Sequence, residues 1–167
     1  LVSCTHALPE PVGVHMIYVH DARELEKAVN AQYDDCDALV MAAAVSDYRP
    51  AVRAENKIKK EQHDHLNIEL TENPDILYGL GQKKTHQFLV GFAAETRDVI
   101  EYGKAKLAKK NLNLLVANDV AQQGAGFNVS TNIAALIYKD GHIEQYPKMT
   151  KDDLGHIIIE KIVEGIN

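Results

Sequence analysis

In "MAAAVSDYRPAVRAENKIKK", residues 41–60, an apolar run ends in Asp47, and from ten residues beyond it the chain carries Lys57, Lys59 and Lys60. An acid able to orient a polar ligand, followed by cations able to neutralise an anionic one, suits binding of a phosphorylated molecule. A buried strand emptying into a solvated loop has the same composition. Lys106 and Lys110 form a second set, one turn apart on a predicted helix over residues 97–111. Their repulsion costs about 0.2–0.5 kcal/mol, which an anion would relieve, although a helix C-terminus also favours lysines in plain solvent. A third is the helix start Asn73-Pro74-Asp75. Free N–H groups and the positive dipole end attract phosphate there, although Asp75 at that end argues, taken singly, for local capping instead. "HDH" at residues 63–65 hints at metal, but no Cys, His or carboxylate cluster completes a site, and a surface turn is expected. There is no GxGxxG, no Walker A sequence and no Gly-x-Ser-x-Gly elbow, so phosphate binding would have to come from lysines and backbone.

The elements that would position these residues follow from pattern. Residues 14–19 are β-rich, and Asp21 with Glu24 three positions on predicts a capping box opening a helix to about residue 32. Residues 37–45 are a continuous apolar run of strand length, the pattern of a strand covered on both faces. Residues 66–71 alternate like a strand, and Asn73 followed by Pro74 predicts a cap and first-turn proline before the short helix "DILYGLGQ". Further buried strands are expected at 87–94 and 113–117, around the lysine-bearing helix. Residues 132–138 and 142–146 flank "KDG", whose Asp140-Gly141 pair favours a hairpin, and Thr150 with Asp153 caps a closing helix to about residue 166. Strands alternating with helices predict an α/β, Rossmann-like three-layer fold with a mostly parallel sheet.

In such a sheet ligands bind outside the carboxyl ends of the strands. Those ends are "AAVSD" at 43–47, "GFAAET" at 91–96 and "ANDV" at 117–120, where small residues admit a ligand to the backbone and a polar residue just beyond can orient it. Taken singly, Asp47 could equally cap a loop and Asn118-Asp119 make a turn.

The whole chain sets bounds. Its 167 residues suit one domain, and a net charge of −6 with lysines gathered at 57–60 and 104–110 argues against a general nucleic-acid surface while leaving a local anion site open. Cys4 and Cys36 lack metal or redox spacing and fit a reducing, cytoplasmic setting. The longest apolar stretch, 38–45, is too short to span a bilayer. The chain opens at Leu1 without methionine and reads as the middle of a longer protein.

Six stretches in order, "AAVSDYRP", "KIKK", "ENPDIL", "VGFAAET", "NLNLLVANDV" and "GFNVSTN", together make the chain resemble, over nearly its whole length, one family. It is the phosphopantothenate-cysteine ligase (phosphopantothenoylcysteine synthetase) domain of the bacterial bifunctional coenzyme A biosynthesis flavoprotein. The resemblance implies a two-step ligation in coenzyme A biosynthesis. The carboxylate of 4'-phosphopantothenate attacks the α-phosphate of CTP, releasing pyrophosphate, and the cysteine amine then displaces CMP from the acyl-cytidylate; Mg2+ accompanies the triphosphate. It further implies that CTP lies against Met41, Ala42, Ala43, Asp47, Lys57, Pro74, Asp75, Ile76, Leu77, Phe92, Lys106 and Lys110. Lys57 would be the catalytic clamp on charge developing at phosphorus, Lys106 and Lys110 would hold phosphates, and Phe92 would offer an apolar contact. Asn118 is a candidate for substrate contact.

Family members begin with a first strand, a glycine-rich turn and a helix that this sequence does not show, so the domain is expected to be N-terminally incomplete, with a central strand to be supplied from elsewhere. A homodimer is expected, through an apolar-faced arm over residues 56–71, and an upstream flavin decarboxylase domain is a further implied partner. Two other classes remain open: a non-catalytic nucleotide-binding module, and a nicotinamide-dependent oxidoreductase, which would need a glycine-rich pyrophosphate turn.

Overall fold

The computed structural model describes residues 1–5, 7–59, 65–95, 98–119 and 129–167. Its elements run β1 (Val2–Ser3), β2 (Ile17–Tyr18), α1 (Ala22–Tyr33), β3 (Ala38–Met41), β4 (Tyr48–Pro50), β5 (Leu70–Glu72), α2 (Ile76–Lys83), β6 (Phe88–Glu95), α3 (Val99–Lys109), β7 (Leu114–Asp119), β8 (Thr131–Tyr138), β9 (Ile143–Thr150) and α4 (Lys151–Ile166). The chain divides into two compact units, Leu1–Ala31 with Ala44–Asp75, and Gln32–Ala43 with Ile76–Asn167.

In the first unit β1 and β2 pair in parallel, and β4 and β5 pair antiparallel. The capping box forms with a shift of one residue. Asp21 Oδ1 accepts from the N–H groups of Arg23 and Glu24, and Glu24 reaches back to the N–H of His20 rather than to that of Asp21. The arm differs from expectation. Its paired strands are residues 48–50 and 70–72, and the described residues among 56–69 carry no strand assignment; residues 60–64, with "HDH" in part, lie outside the described residues.

The second unit holds a five-stranded sheet in the order β3-β6-β7-β8-β9. β3, β6 and β7 are parallel, β8 is antiparallel to β7, and β9 is antiparallel to β8, so β8 alone runs against the others. The fold is α/β with a mostly parallel sheet. Alternation along the strands gives the sheet two covered faces. Phe88, Val90, Leu114, Val116, Ala134 and Leu136 bury against Leu154, Ile158 and Ile162 of α4. Each of these apart from Ala134 contributes about 1.5–3 kcal/mol of burial. On the opposite face Gly103 of α3 lies over Leu115 and Ile137, close enough that an added Cβ would come within 2.4 Å of Ile137 Cδ1. Helices on both faces make this unit three-layered.

β3 departs from the prediction of a strand covered on both faces. It ends at Met41, Val40 is 42% exposed, and among the described residues β6 is its one ladder neighbour. An apolar run signals strand type, but burial on both faces needs neighbours on both edges. The closing helix behaves as predicted: Thr150 Oγ1 accepts from the N–H of Asp153.

Candidate functional site

The parallel strands of the second unit bring three of the expected segments into register. Met41 pairs with Gly91, Phe92 with Val116, and Ala94 with Asn118, so the ends of β3, β6 and β7 open in one direction. Ala42 and Ala43 continue past β3 as exposed, non-strand residues whose backbone a ligand can approach. Asn118 sits near the end of β7, its Oδ1 shielded from solvent and without a hydrogen-bond partner among the described residues. Asn132 Oδ1 is in the same condition, with Asn132 only 4% exposed. Asn118 opposes Ala134, so Asn132, two residues along β8, is its diagonal neighbour on the α4 face. Two shielded amide oxygens without donors among the described residues are an arrangement that a ligand bearing N–H or O–H groups would satisfy. Sequence reasoning missed Asn132, because an Asn inside an alternating strand carries no sign of its burial.

Ile76 and Leu77 are 5% and 7% exposed, and their side chains belong to the core. Gly91 favours this packing: a Cβ there would lie 2.9 Å from Leu77 Cδ2 and 2.7 Å from Leu112 Cδ1, so the first turn of α2 rests closely on β6. At this helix start a ligand would meet backbone N–H groups rather than side chains. Phe92 faces the other way. Its half-buried ring packs against the α4-side cluster, on the sheet face opposite Gly91 and Leu77. The apolar contact expected of Phe92 would thus be offered on the α4 face, the face that also carries Asn118.

Lys106 and Lys110 lie one turn apart as predicted, with the Lys110 N–H donating to Lys106 O at 3.0 Å. They occupy the end of α3 that leads into the start of β7, and 11 residues at 1.5 Å each place that end about 16 Å from the helix start that follows β6. The structure thus keeps Lys110 apart from the carboxyl strand ends. What surrounds it is a polar knot: Asn111, at φ 51°, donates from Nδ2 to Gly81 O at 2.9 Å, and Lys84 Nζ donates to Asn111 O at 2.6 Å and Asn113 Oδ1 at 2.7 Å. Burial, then the neighbouring Lys139, pushes the Lys84 ammonium below the usual lysine range.

In the first unit Asp47 and the Pro74-Asp75 segment are joined through the β4–β5 ladder, where the Asn73 N–H donates to Asp47 O at 2.8 Å. Asn73 is not the side-chain cap that its position before Pro74 predicted. Its Nδ2 donates to Ser46 O at 2.8 Å and its Oδ1 accepts from Arg49 at 3.2 Å. Lys57 lies on the exposed loop beyond β4, outside this bonded group.

The family model described as the DNA/pantothenate metabolism flavoprotein C-terminal domain matches residues 1–166. The chain is 44% identical over 163 residues to the coenzyme A biosynthesis bifunctional protein CoaBC of Bacillus subtilis strain 168, covering 97% of the chain and 40% of that protein. To the protein of the same name from Escherichia coli K12 it is 43% identical over 166 residues, covering 98% and 41%. The chain thus spans about two fifths of the length of these curated relatives. Among solved structures it is similar to the C-terminal domain of coenzyme A biosynthesis bifunctional protein CoaBC, with a TM-score of 0.79 and 36% identity over 96% of this chain and 70% of that one.

Proposed function

The chain belongs to the DNA/pantothenate metabolism flavoprotein C-terminal domain family, and on that premise we propose that it performs the phosphopantothenate-cysteine ligase step of coenzyme A biosynthesis, with CTP as the activating nucleotide. The observation that carries this reading is the 44% identity to a protein named for coenzyme A biosynthesis, sustained over 97% of the chain. In the proposed reaction the carboxylate of 4'-phosphopantothenate attacks the α-phosphorus of CTP and pyrophosphate leaves. The cysteine amine then attacks the acyl carbon, CMP leaves with the bonding pair, and the amine proton passes to solvent.

The backbone of residues 41–43 and 92–94 and the N–H groups at the start of α2 offer donors and acceptors for the nucleotide, with Asp47 orienting a polar edge. Lys57, on its exposed loop, is the proposed clamp on charge that develops at phosphorus. Lys106 stands a turn closer than Lys110 to the carboxyl strand ends, so the proposal of phosphate contacts from α3 rests on it first. Asn118 is the proposed substrate contact, its Oδ1, without a donor among the described residues, matching an amide or hydroxyl of the pantothenate moiety.

Magnesium is bound through one or two carboxylates together with substrate phosphates, rather than by a dedicated protein cage. The magnesium of this proposal arrives with the triphosphate; among the described residues no group of three or more His, Cys, Asp or Glu could hold a metal ion. When bound, it would neutralise phosphate charge, with Asp47 or Asp75 as the carboxylate to hand.

The upstream partner we propose is a flavin decarboxylase domain within a longer bifunctional protein, and the assembly a homodimer. The setting we propose is the cytoplasm; no described helix is long and apolar enough to cross a membrane. The test is pyrophosphate release with 4'-phosphopantothenate, cysteine, magnesium and either CTP or ATP. The expected result is turnover with CTP well above that with ATP. Equal rates would defeat the nucleotide assignment, and no cysteine-dependent product with either would defeat the ligase.

A further inference from the structure

The β4–β5 ladder has an alternation that decides which carbonyls need outside partners. Asn73 N–H donates to Asp47 O and Ala51 N–H to Glu69 O, so 47/73, 49/71 and 51/69 are the bonded pairs. The carbonyls of Ser46 and Glu72 then point out of the ladder. Two side chains take them up. Asn73 Nδ2 donates to Ser46 O at 2.8 Å. The Arg49 guanidinium donates to Glu72 O and, from the same nitrogen, to Asn73 Oδ1 at 3.2 Å. The bonds run without a break from Ser46 through Asn73 and Arg49 to Glu72, and both clasping side chains are half-buried. Asp47 follows Ser46 directly, and Pro74-Asp75 follow Asn73 directly.

We propose that Arg49 and Asn73 are positioning residues: their clasp holds the Asp47 loop and the Pro74-Asp75 segment in one frame, so that both are presented to the nucleotide preorganised. The inference rests on the reading of these two segments as nucleotide contacts. A ladder of three residues a side is marginal by itself in water, so the segments it joins need a further constraint. Arg49 suits the task because one planar group reaches two acceptors, which a lysine ammonium does with less directional control.

The experiment compares the wild-type protein with Arg49→Met, Asn73→Ala, the double variant and Arg49→Lys. The measurements are CTP binding by calorimetry, KM and kcat, thermal midpoint, and hydrogen exchange at the Asn73 amide. The clasp predicts a CTP dissociation constant raised about tenfold in each single variant. It also predicts that the double variant is no more than about twofold worse than either, because the two residues act as a unit. KM for CTP should rise while kcat stays within about threefold, and Arg49→Lys should recover part of the affinity. Faster exchange at Asn73 in Arg49→Met reports loss of the clasp without any nucleotide present. A purely structural role would lower the midpoint without separating KM from kcat.

CTP affinity within about twofold of wild type in both single variants, or additive losses in the double, overturns the proposal. Unchanged exchange at Asn73 in Arg49→Met also overturns it, whatever the nucleotide data. If the wild-type protein binds no CTP, the nucleotide reading falls and takes the positioning role with it, while the exchange data still report on the clasp. Asn73→Ala keeps its backbone bond to Asp47 and carries the test if Arg49→Met does not fold.

Discussion

Gly79 and Gly81 lie two residues apart on α2, and adding one methyl group to each should move stability in opposite directions. A Cβ at Gly79 would meet nothing within 4 Å. There the helix gains from losing glycine, by roughly 0.5–1 kcal/mol. A Cβ at Gly81 would lie 2.0 Å from Lys110 O and 2.9 Å from its carbonyl carbon. Bringing that contact to about 3 Å requires the last turns of α2 and α3 to separate by roughly 1 Å, and overpacking of this kind costs about 1–3 kcal/mol. The obstacle is backbone rather than a flexible side-chain end, which favours the top of that range. Set against the same helix gain, Gly81→Ala should be destabilised by about 2 kcal/mol. At roughly 2–4 °C per kcal/mol for a chain of this size, the midpoint should fall by roughly 4–8 °C in Gly81→Ala and rise by roughly 1–4 °C in Gly79→Ala. Equilibrium urea unfolding and thermal melts of the two proteins side by side decide it. Shifts of the same sign, or a Gly81→Ala protein as stable as the wild type, would refute the close approach of the two helices.

Lys57→Gln should lower single-turnover pyrophosphate release at saturating CTP about a hundred- to a thousandfold, with little loss of CTP binding, because a donor aimed at transition-state charge acts on rate; an unchanged rate would make the lysine run a solvated loop and nothing more. Val52, Ile58, Leu66, Ile68 and Leu70 are 81%, 61%, 62%, 60% and 56% exposed, more apolar surface than so short an arm buries, so sedimentation should report a dimer that Ile68→Lys weakens; a wild-type monomer at micromolar concentration counts against it. The Tyr146 hydroxyl, then Lys161, hold the Glu144 carboxyl below its ordinary value of 4.5. A depressed folded value means the stabilisation is present above that ordinary value and is lost as pH falls through the folded one, so Glu144→Gln should be less stable at neutral pH and fall less steeply in acid. Wild-type and variant stability curves that stay parallel down to pH 3 would remove Glu144 from the acid limb.

Signals that act within a few residues of the chain were legible. Asp21 with Glu24, and Thr150 with Asp153, open helices as their side chains dictate. Gly141, at φ 91°, takes the turn that the Asp140-Gly141 pair suggested. What the sequence left dark depends on distant neighbours. Asn73 reads as a cap because a proline follows it, but carbonyls 27 residues back and an arginine 24 back compete for the same amide. The strand ends that carry the candidate site were legible as small residues followed by polar ones, because that pattern is local. Whether Lys106 and Lys110 approach those ends depends on how far α3 runs before turning, and the i, i+4 spacing does not encode that.

β6 shows why the part an apolar residue plays in a proposed nucleotide site is hard to read from sequence. Both faces of the strand are covered, so alternation leaves no polar stripe to say which side a given residue faces. The asymmetry is in size. A Cβ at Gly91 would crowd the side-chain ends of Leu77 and Leu112, while Phe92 fills the opposite face against the α4-side cluster. A ligand at the end of this strand would therefore meet peptide groups framed by Gly91, Ala93 and Ala94, with Phe92 holding the strand flat from behind. In the proposed site the ring acts through the backbone it anchors. Phe92→Leu, which keeps an apolar group of similar reach on the α4 face, should then leave CTP affinity nearly intact. Phe92→Ala removes the anchor and should cost about 3–5 kcal/mol at a fully buried position, and less at this half-buried one. A large loss of CTP binding in Phe92→Leu, with an unchanged thermal midpoint, would mean that the ring touches the nucleotide after all.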